Sequence, residues 1–375
     1  MSRTTHRVGI AGGMAGAGAA AAAAGIALGR YAIGRSRRTG PDTEAGEPFG
    51  RLAPDRRRTV TADDGTPLYL EEVGPADAPL TVLFVHGYCL SLGCWHYQRL
   101  GLADTVRPAL RMVFYDQRGH GRSAGSAPDG CTIDQLGADL YTVLRDLGAE
   151  PGGRHAPTPV VLVGHSMGGM TIMALAEAHP ELFGERIVGV ALLSTSTGKL
   201  AEVTFGLPAL LARAKNPVLP RLVSQLRRRA RMAERGRHVG GDLVWLFVRR
   251  MGFGSKDASS AQVDYVADMI AGTPIHVIAD FYPALVEHDK LHALPVLRGI
   301  PVLVLVGERD VVTPASHSRA IAEALPDAEL VEVEGAGHLV IMERAPVVNL
   351  RLRAFVHRAY RQANGGRWWH SWRKV

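Results

Sequence analysis

The stretch that most constrains this chain runs from Pro159 to His179: P-V-V-L-V-G-H-S-M-G-G-M-T-I-M-A-L-A-E-A-H. Val160 to Val163 are uninterrupted and mostly β-branched, the composition of a strand buried on both faces. Gly164-His165-Ser166-Met167-Gly168-Gly169 follows, and then apolar residues at helical spacing: Met170, Met173, Ala174 and Ala178. A strand, a sharp Gly-flanked turn with serine at its apex, and a helix together make the context of a nucleophile elbow. The glycines avoid collisions where strand and helix meet. The helix N-terminus points free N–H groups and the positive end of its dipole at the place where an oxyanion would form.

The pentapeptide G-x-S-x-G is not specific by itself, because Gly121-Arg122-Ser123-Ala124-Gly125 repeats it. That copy runs into G-S-A-P-D-G, which cannot start a helix. Ser123 therefore reads as a loop serine and Ser166 as the nucleophile.

A serine hydroxyl needs a base, and the base needs an orienting carboxylate. Downstream, V-L-V-L-V-G-E-R-D-V-V-T-P places Asp310 just beyond a buried strand, and E-L-V-E-V-E-G-A-G-H places His338 just beyond another. His317, His357 and His370 end no strand, so His338 is the expected base; Glu308 competes with Asp310 for the acid, and Asp310 is favoured. The oxyanion hole is expected from the backbone N–H of Met167 and from that of Tyr88, with Gly87 letting its loop come close. His86 and His165 read as structural and packing residues.

The strands alternate with helices, which predicts a parallel sheet covered on both faces. Expected strands are Arg58–Ala62, Leu68–Val73, Thr81–Val85, Arg111–Tyr115, Val160–Val163, Ile187–Leu193, Val302–Val306 and Glu329–Val333. Asp64-Gly65 is a hairpin turn. Thr132 with Gln135 makes a capping box opening a helix over Ile133–Leu147. Helices are also expected over Trp95–Val106 and Ala315–Leu325, and from Pro346 onward. The alternation breaks over 199–296, which is helical, basic and too long for a connection.

H-G-Y beside a strand, D-Q-R-G-H-G-R-S, G-H-S-M-G-G, G-E-R-D-x-V-T-P and G-A-G-H together resemble the α/β-hydrolase superfamily, most nearly its serine esterase, lipase and non-haem haloperoxidase-like branch. The resemblance covers roughly residues 58–360. It implies an α/β fold with an eight-stranded, mostly parallel sheet and an inserted helical lid. It also implies a Ser166–His338–Asp310 triad, an acyl-enzyme intermediate and no cofactor or metal. The expected substrate is a small hydrophobic ester, with Phe205, Leu207, Leu210, Trp245, Leu246 and Phe247 of the lid supplying an apolar pocket; the alternatives are acyl transfer, lactone or thioester hydrolysis or perhydrolysis by the same triad, and a non-catalytic ligand-binding member of the fold.

Charge and composition bound the rest. The net charge of +7 is uneven: residues 1–58 carry ten Arg against four acids, residues 199–260 thirteen Lys/Arg against four, and residues 351–375 seven against none. Basic flanks on an acidic body suit either an anionic membrane surface or a solvated Arg-rich exterior, and no nucleic-acid motif is present. Three cysteines (Cys89, Cys94, Cys131) make no disulfide framework and lean towards a reducing compartment.

Val8 to Gly29 is a run of 22 uncharged residues, mostly Ala and Gly. As a helix it spans about 33 Å. A membrane anchor is the expected reading, with a cleaved signal and a low-complexity tail as the alternatives. Arg30, Arg35, Arg37 and Arg38 outnumber Arg3 and Arg7, which for an anchor places the body in the cytoplasm. The expected organisation is an apolar segment (1–38), a linker (39–57), a core (58–198 and 297–361) interrupted by the lid (199–296), and a Trp/Arg-rich tail (362–375). The tail suits a membrane interface or an aromatic clasp equally.

Overall fold

The computed structural model describes residues 42, 44–103, 109–125, 127–148, 158–204, 225 and 241–365. The apolar run 8–29, the basic stretch around 221–235 apart from Gln225, and the Trp-rich end of the tail lie outside them. Among the described residues no single helix is long and apolar enough to cross a membrane.

Eight strands form one sheet: β1 (Arg56–Thr61), β2 (Pro67–Val73), β3 (Thr81–Val85), β4 (Arg111–Tyr115), β5 (Val160–His165), β6 (Ile187–Leu193), β7 (Val302–Gly307) and β8 (Glu329–Val333). Their spatial order is β1-β2-β4-β3-β5-β6-β7-β8. Pairings β1/β2 and β2/β4 are antiparallel, and all others are parallel. The antiparallel start comes from the tight turn at Asp64-Gly65, where Gly65 takes φ +87° and Asp64 Oδ1 accepts from Thr66 N–H at 3.0 Å.

Every residue of β3, β4, β5, β6 and β7 is buried, as continuous apolar runs require. Alternation along each strand then feeds two separate cores. Val161 and Val163 of β5 point to the side where Leu102, Trp245, Val263 and Phe355 pack. Val160 and Leu162 point to the other, with Leu140, Val143, Ile172, Leu175 and Ile321.

The helices are α1 (His96–Ala103), α2 (Ile133–Gly148), α3 (Met167–Ala178), α4 (Gly241–Met251), α5 (Ser260–Gly272), α6 (Ile275–Glu287), α7 (Ala315–Ala324), α8 (Val340–Glu343) and α9 (Ala345–Ala363). Helices α4 to α6 fill the described part of the long insertion between β6 and β7. The helix expected from Trp95 starts one residue later, because Ser91 caps a 3-10 turn over Leu92–Trp95 first. At the start of α2 only half of the capping box forms. Gln135 N–H bonds Thr132 Oγ1 at 3.0 Å, but the Gln135 carboxamide turns to Asp63 Oδ1 at 3.1 Å and Asp139 Oδ1 at 3.4 Å.

Strand order reverses between β4-β3 and β5-β6, so the crevice beyond the carboxyl ends of β3 and β5 is where such a sheet binds ligands. The loop after β3 carries Tyr88 and the turn after β5 carries Ser166.

Candidate active site

Ser166 joins β5 to α3 with φ 52° and ψ −120°, a conformation costly for a residue with a Cβ. The fold pins it there. Ser166 N–H bonds Leu193 O of the adjacent strand at 3.0 Å, and Thr195 Oγ1 donates to Ser166 O at 2.7 Å. The turn closes only because its glycines lack side chains. A Cβ on Gly164 would lie 2.7 Å from Gly168 and Gly169 backbone atoms, and one on Gly168 would lie 2.0 Å from Val85 O. Residues 167–176 of α3 are all buried, so this helix is a core element whose N-terminus opens at the serine.

Two further loops bring side chains to that point. His338, in the loop after β8, sets Nε2 3.0 Å from Ser166 Oγ and Nδ1 2.9 Å from Asp310 Oδ2. Asp310, three residues past the end of β7, is 4% exposed and has three further donors. Its Oδ1 accepts from Val312 N–H and Thr313 N–H, both at 2.8 Å, and Oδ2 accepts from Thr313 Oγ1 at 2.9 Å. Burial pushes the Asp310 carboxyl up, but charge and hydrogen bonding from His338, with the two backbone N–H groups, outweigh it and hold it below the usual carboxylate range. An ionised Asp310 accepts from Nδ1–H, which leaves the Nε2 lone pair facing the serine hydroxyl. Glu308 points elsewhere and accepts from Gly335 N–H at 2.9 Å.

The loop after β3 passes directly beside the serine. A Cβ on Gly87 would sit 3.1 Å from Ser166 Cβ. Among the described residues, neither Tyr88 N–H nor Met167 N–H has a backbone partner. Tyr88 also ties its loop to the insertion, since its hydroxyl donates to Ile278 O on α6. His86 braces the same loop: its Nδ1 lies 2.8 Å from Gly87 O, and its Nε2 accepts from Gln117 N–H at 2.9 Å. Gln117 Nε2 donates to His86 O at 2.7 Å. Ser123 lies in the turn after β4, where Oγ donates to Asp116 O at 2.5 Å and accepts from Tyr69 N–H at 2.8 Å.

Several contacts were not foreseen. Thr313 reaches Asp310, and its Oγ1 lies 3.2 Å from His338 Nδ1. An aspartate followed two and three residues on by backbone N–H groups is an Asx turn, so the D-V-V-T string held this signal. Glu343 accepts from Gly337 N–H (2.7 Å), Gly254 N–H (3.0 Å) and Ser255 N–H (2.6 Å), tying the end of the α4 region to the loop of His338. His165 does more than pack, because its Nε2 bonds His338 O at 3.0 Å.

The lid residues depart from expectation. Trp245 is buried, but Leu246 and Phe247 are 50% and 58% exposed on the outer face of α4. The inward face of that helix is already filled by Trp245 and Val248, which pack into the core. Phe205, Leu207 and Leu210 lie outside the described residues. The three cysteines are buried. Among the described residues no cluster of three His, Cys, Asp or Glu side chains could hold a metal.

Comparisons with known proteins bear on the fold and the family. The family profile of the alpha/beta hydrolase fold matches residues 81–345. A bifunctional esterase/perhydrolase of Acinetobacter calcoaceticus is 28% identical over 300 residues, covering 79% of this chain and 98% of the relative. A non-heme chloroperoxidase of Streptomyces lividans is 30% identical over 305 residues, covering 80% and 99%. Among solved structures, a thermophilic esterase from Thermogutta terrifontis superposes with a TM-score of 0.61 at 26% identity, over 81% of this chain and 99% of that one. The match across most of the chain, on an eight-stranded sheet with a serine elbow at its switch point, establishes that this chain is an enzyme of the α/β-hydrolase fold family.

Proposed function

We propose that the chain is a serine hydrolase that cleaves carboxylic esters of hydrophobic acyl groups through an acyl-enzyme. The observation that carries this reading is the unbroken hydrogen-bonded line from Ser166 Oγ through His338 to Asp310 Oδ2, at 3.0 and 2.9 Å, on a strained elbow.

His338 Nε2 takes the Ser166 proton as Oγ attacks the ester carbonyl carbon, and Asp310 stabilises the imidazolium that results. The carbonyl oxygen becomes an oxyanion facing the N–H groups of Met167 and Tyr88. Collapse expels the alcohol, which receives the proton from His338 Nε2 and leaves Ser166 acylated. Water, deprotonated by His338, attacks the acyl carbon; the acid departs, and Oγ recovers its proton. No cofactor enters these steps. The likeness to an esterase/perhydrolase supports a second outcome from the same acyl-enzyme, in which hydrogen peroxide replaces water and a peroxy acid leaves.

The test is labelling by a fluorophosphonate probe with peptide mapping, alongside hydrolysis of p-nitrophenyl esters of increasing chain length. One label on Ser166, blocked by substrate, is the expected result. No label, or a label on Ser123, overturns the reading. A second measurement separates the two acids. Asp310→Asn is expected to lower kcat by about 10⁴-fold, because the base loses the acceptor that fixes its tautomer. Glu308→Gln is expected to remain within about threefold of wild type, as a substitution outside the hydrogen-bonded line. Equal losses in the two variants would remove Asp310 from its assigned role.

A further inference from the structure

His165 directly precedes the serine and is fully buried. Its Nε2 lies 3.0 Å from the backbone carbonyl of His338. The two rings sit 5.0 Å apart. On its other side, a Cβ at Gly87 would come within 2.9 Å of His165 Nδ1, so the loop carrying Tyr88 rests on the imidazole. Trp95 closes the pocket edge-on, its ring 6.4 Å away.

A carbonyl accepts and never donates, so His165 must carry its proton on Nε2. Nδ1 is then a bare lone pair, and it has no hydrogen-bond partner among the described residues. Leaving a buried polar atom unpaired costs stability. An aliphatic residue would avoid that cost and fill the same space, but it would leave the His338 carbonyl without this donor.

We infer that His165 is a positioning residue that ties the loop of the base to the nucleophile elbow and seats the Tyr88 loop against both, an inference that rests on the serine-hydrolase reading above. In the sheet, β6 and β7 separate the strand of Ser166 from the strand before His338. Among the described residues, the other hydrogen bond between these two loops is the Ser166 Oγ–His338 Nε2 contact itself, which breaks during the reaction when Ser166 is acylated. The tie through His165 persists through that step. Burial, with the charge of His338 beside it, pushes the His165 pKa down to about 3, so the ring stays a neutral single donor at any working pH.

The experiment compares His165→Gln, His165→Asn and His165→Leu in the full chain with wild type, each checked by thermal melting. A glutamine amide can place N–H where imidazole Nε2 stood, whereas asparagine is too short and leucine cannot donate. Leucine and asparagine are expected to lower kcat by about 10- to 100-fold with KM within about threefold, the signature of a displaced base, and glutamine is expected to recover most of the loss. Wild-type kcat in folded His165→Leu, or a glutamine variant no better than leucine, overturns the role of His165 alone. Wild type that neither labels nor hydrolyses overturns the serine-hydrolase reading and this role with it. Nitrogen-15 NMR of histidine-labelled wild type reads the tie without any variant. A protonated Nε2 with a bare Nδ1 supports it, and the opposite tautomer overturns it.

Discussion

Ser166→Ala is expected to lose at least about 10⁴-fold in kcat for ester hydrolysis and all fluorophosphonate labelling, while keeping the wild-type fold. On the proposed mechanism the hydroxyl is the attacking atom, so neither the oxyanion N–H groups nor His338 can replace it. Ser123→Ala is expected to stay within about threefold, because Ser123 serves only the turn after β4. A third variant separates chemistry from strain. Alanine keeps a Cβ at φ 52°, ψ −120°, whereas glycine tolerates that conformation. Strain of about 1–3 kcal/mol is relieved in Ser166→Gly, against about 0.4–1 kcal/mol lost to a more flexible unfolded chain. Ser166→Gly is therefore expected to be more stable than Ser166→Ala by about 1 kcal/mol and equally inactive. Urea titrations of the two proteins measure this. A glycine variant less stable than the alanine one would show that the elbow stores no strain, and residual activity above about a tenth of wild type would remove Ser166 as the nucleophile.

The elbow was legible because its determinants are local. The strand, the turn glycines and the helix lie within Val160–Ala178, and each collision that the glycines avoid involves neighbours in sequence or the adjoining strand. Asp310 and His338 were legible for a related reason: each follows a buried apolar run, and strand ends converge on one edge of a parallel sheet. Other contacts between distant elements were not legible. The His165–His338 bond joins residues 173 apart, and the Glu343 bridge to Gly254 joins residues 89 apart, so no spacing rule announces either. Leu246 and Phe247 depart from expectation for another reason. Apolar residues at helical spacing around Trp245 signal an amphipathic helix, but the pattern does not say which face meets the core. Trp245 and Val248 took that face, leaving Leu246 and Phe247 outside.

The largest expected stability effect lies in the turn after β4. Arg118 is fully buried and forms a fork on Asp139, with Nε and one terminal nitrogen each 2.6 Å from a carboxylate oxygen; its other terminal nitrogen reaches Asp64 at 2.7 Å. Burial pulls the guanidinium pKa down, but the hydrogen bonds it donates to Asp139 and Asp64 more than offset it, so the arginine stays charged. Replacing a buried pair by apolar residues is often nearly neutral, whereas removing one partner strands the other charge and costs about 3–5 kcal/mol. Asp139→Ala is expected to fall in that range, because the remaining partner, Asp64, is 39% exposed and meets only one edge of the guanidinium. The double variant Arg118→Met, Asp139→Leu is expected to recover most of the loss, and urea midpoints of the two proteins measure the difference. A cost below about 1 kcal/mol for Asp139→Ala would show that water enters and solvates the arginine.

The same turn connects this pair to the candidate site. Gln117 precedes Arg118 and donates to His86 O, while His86 holds the loop that presents Tyr88. The double variant restores packing but not the charged fork that fixes the Gln117–Arg118 backbone. It is therefore expected to regain stability ahead of kcat, with fluorophosphonate labelling still slower than wild type.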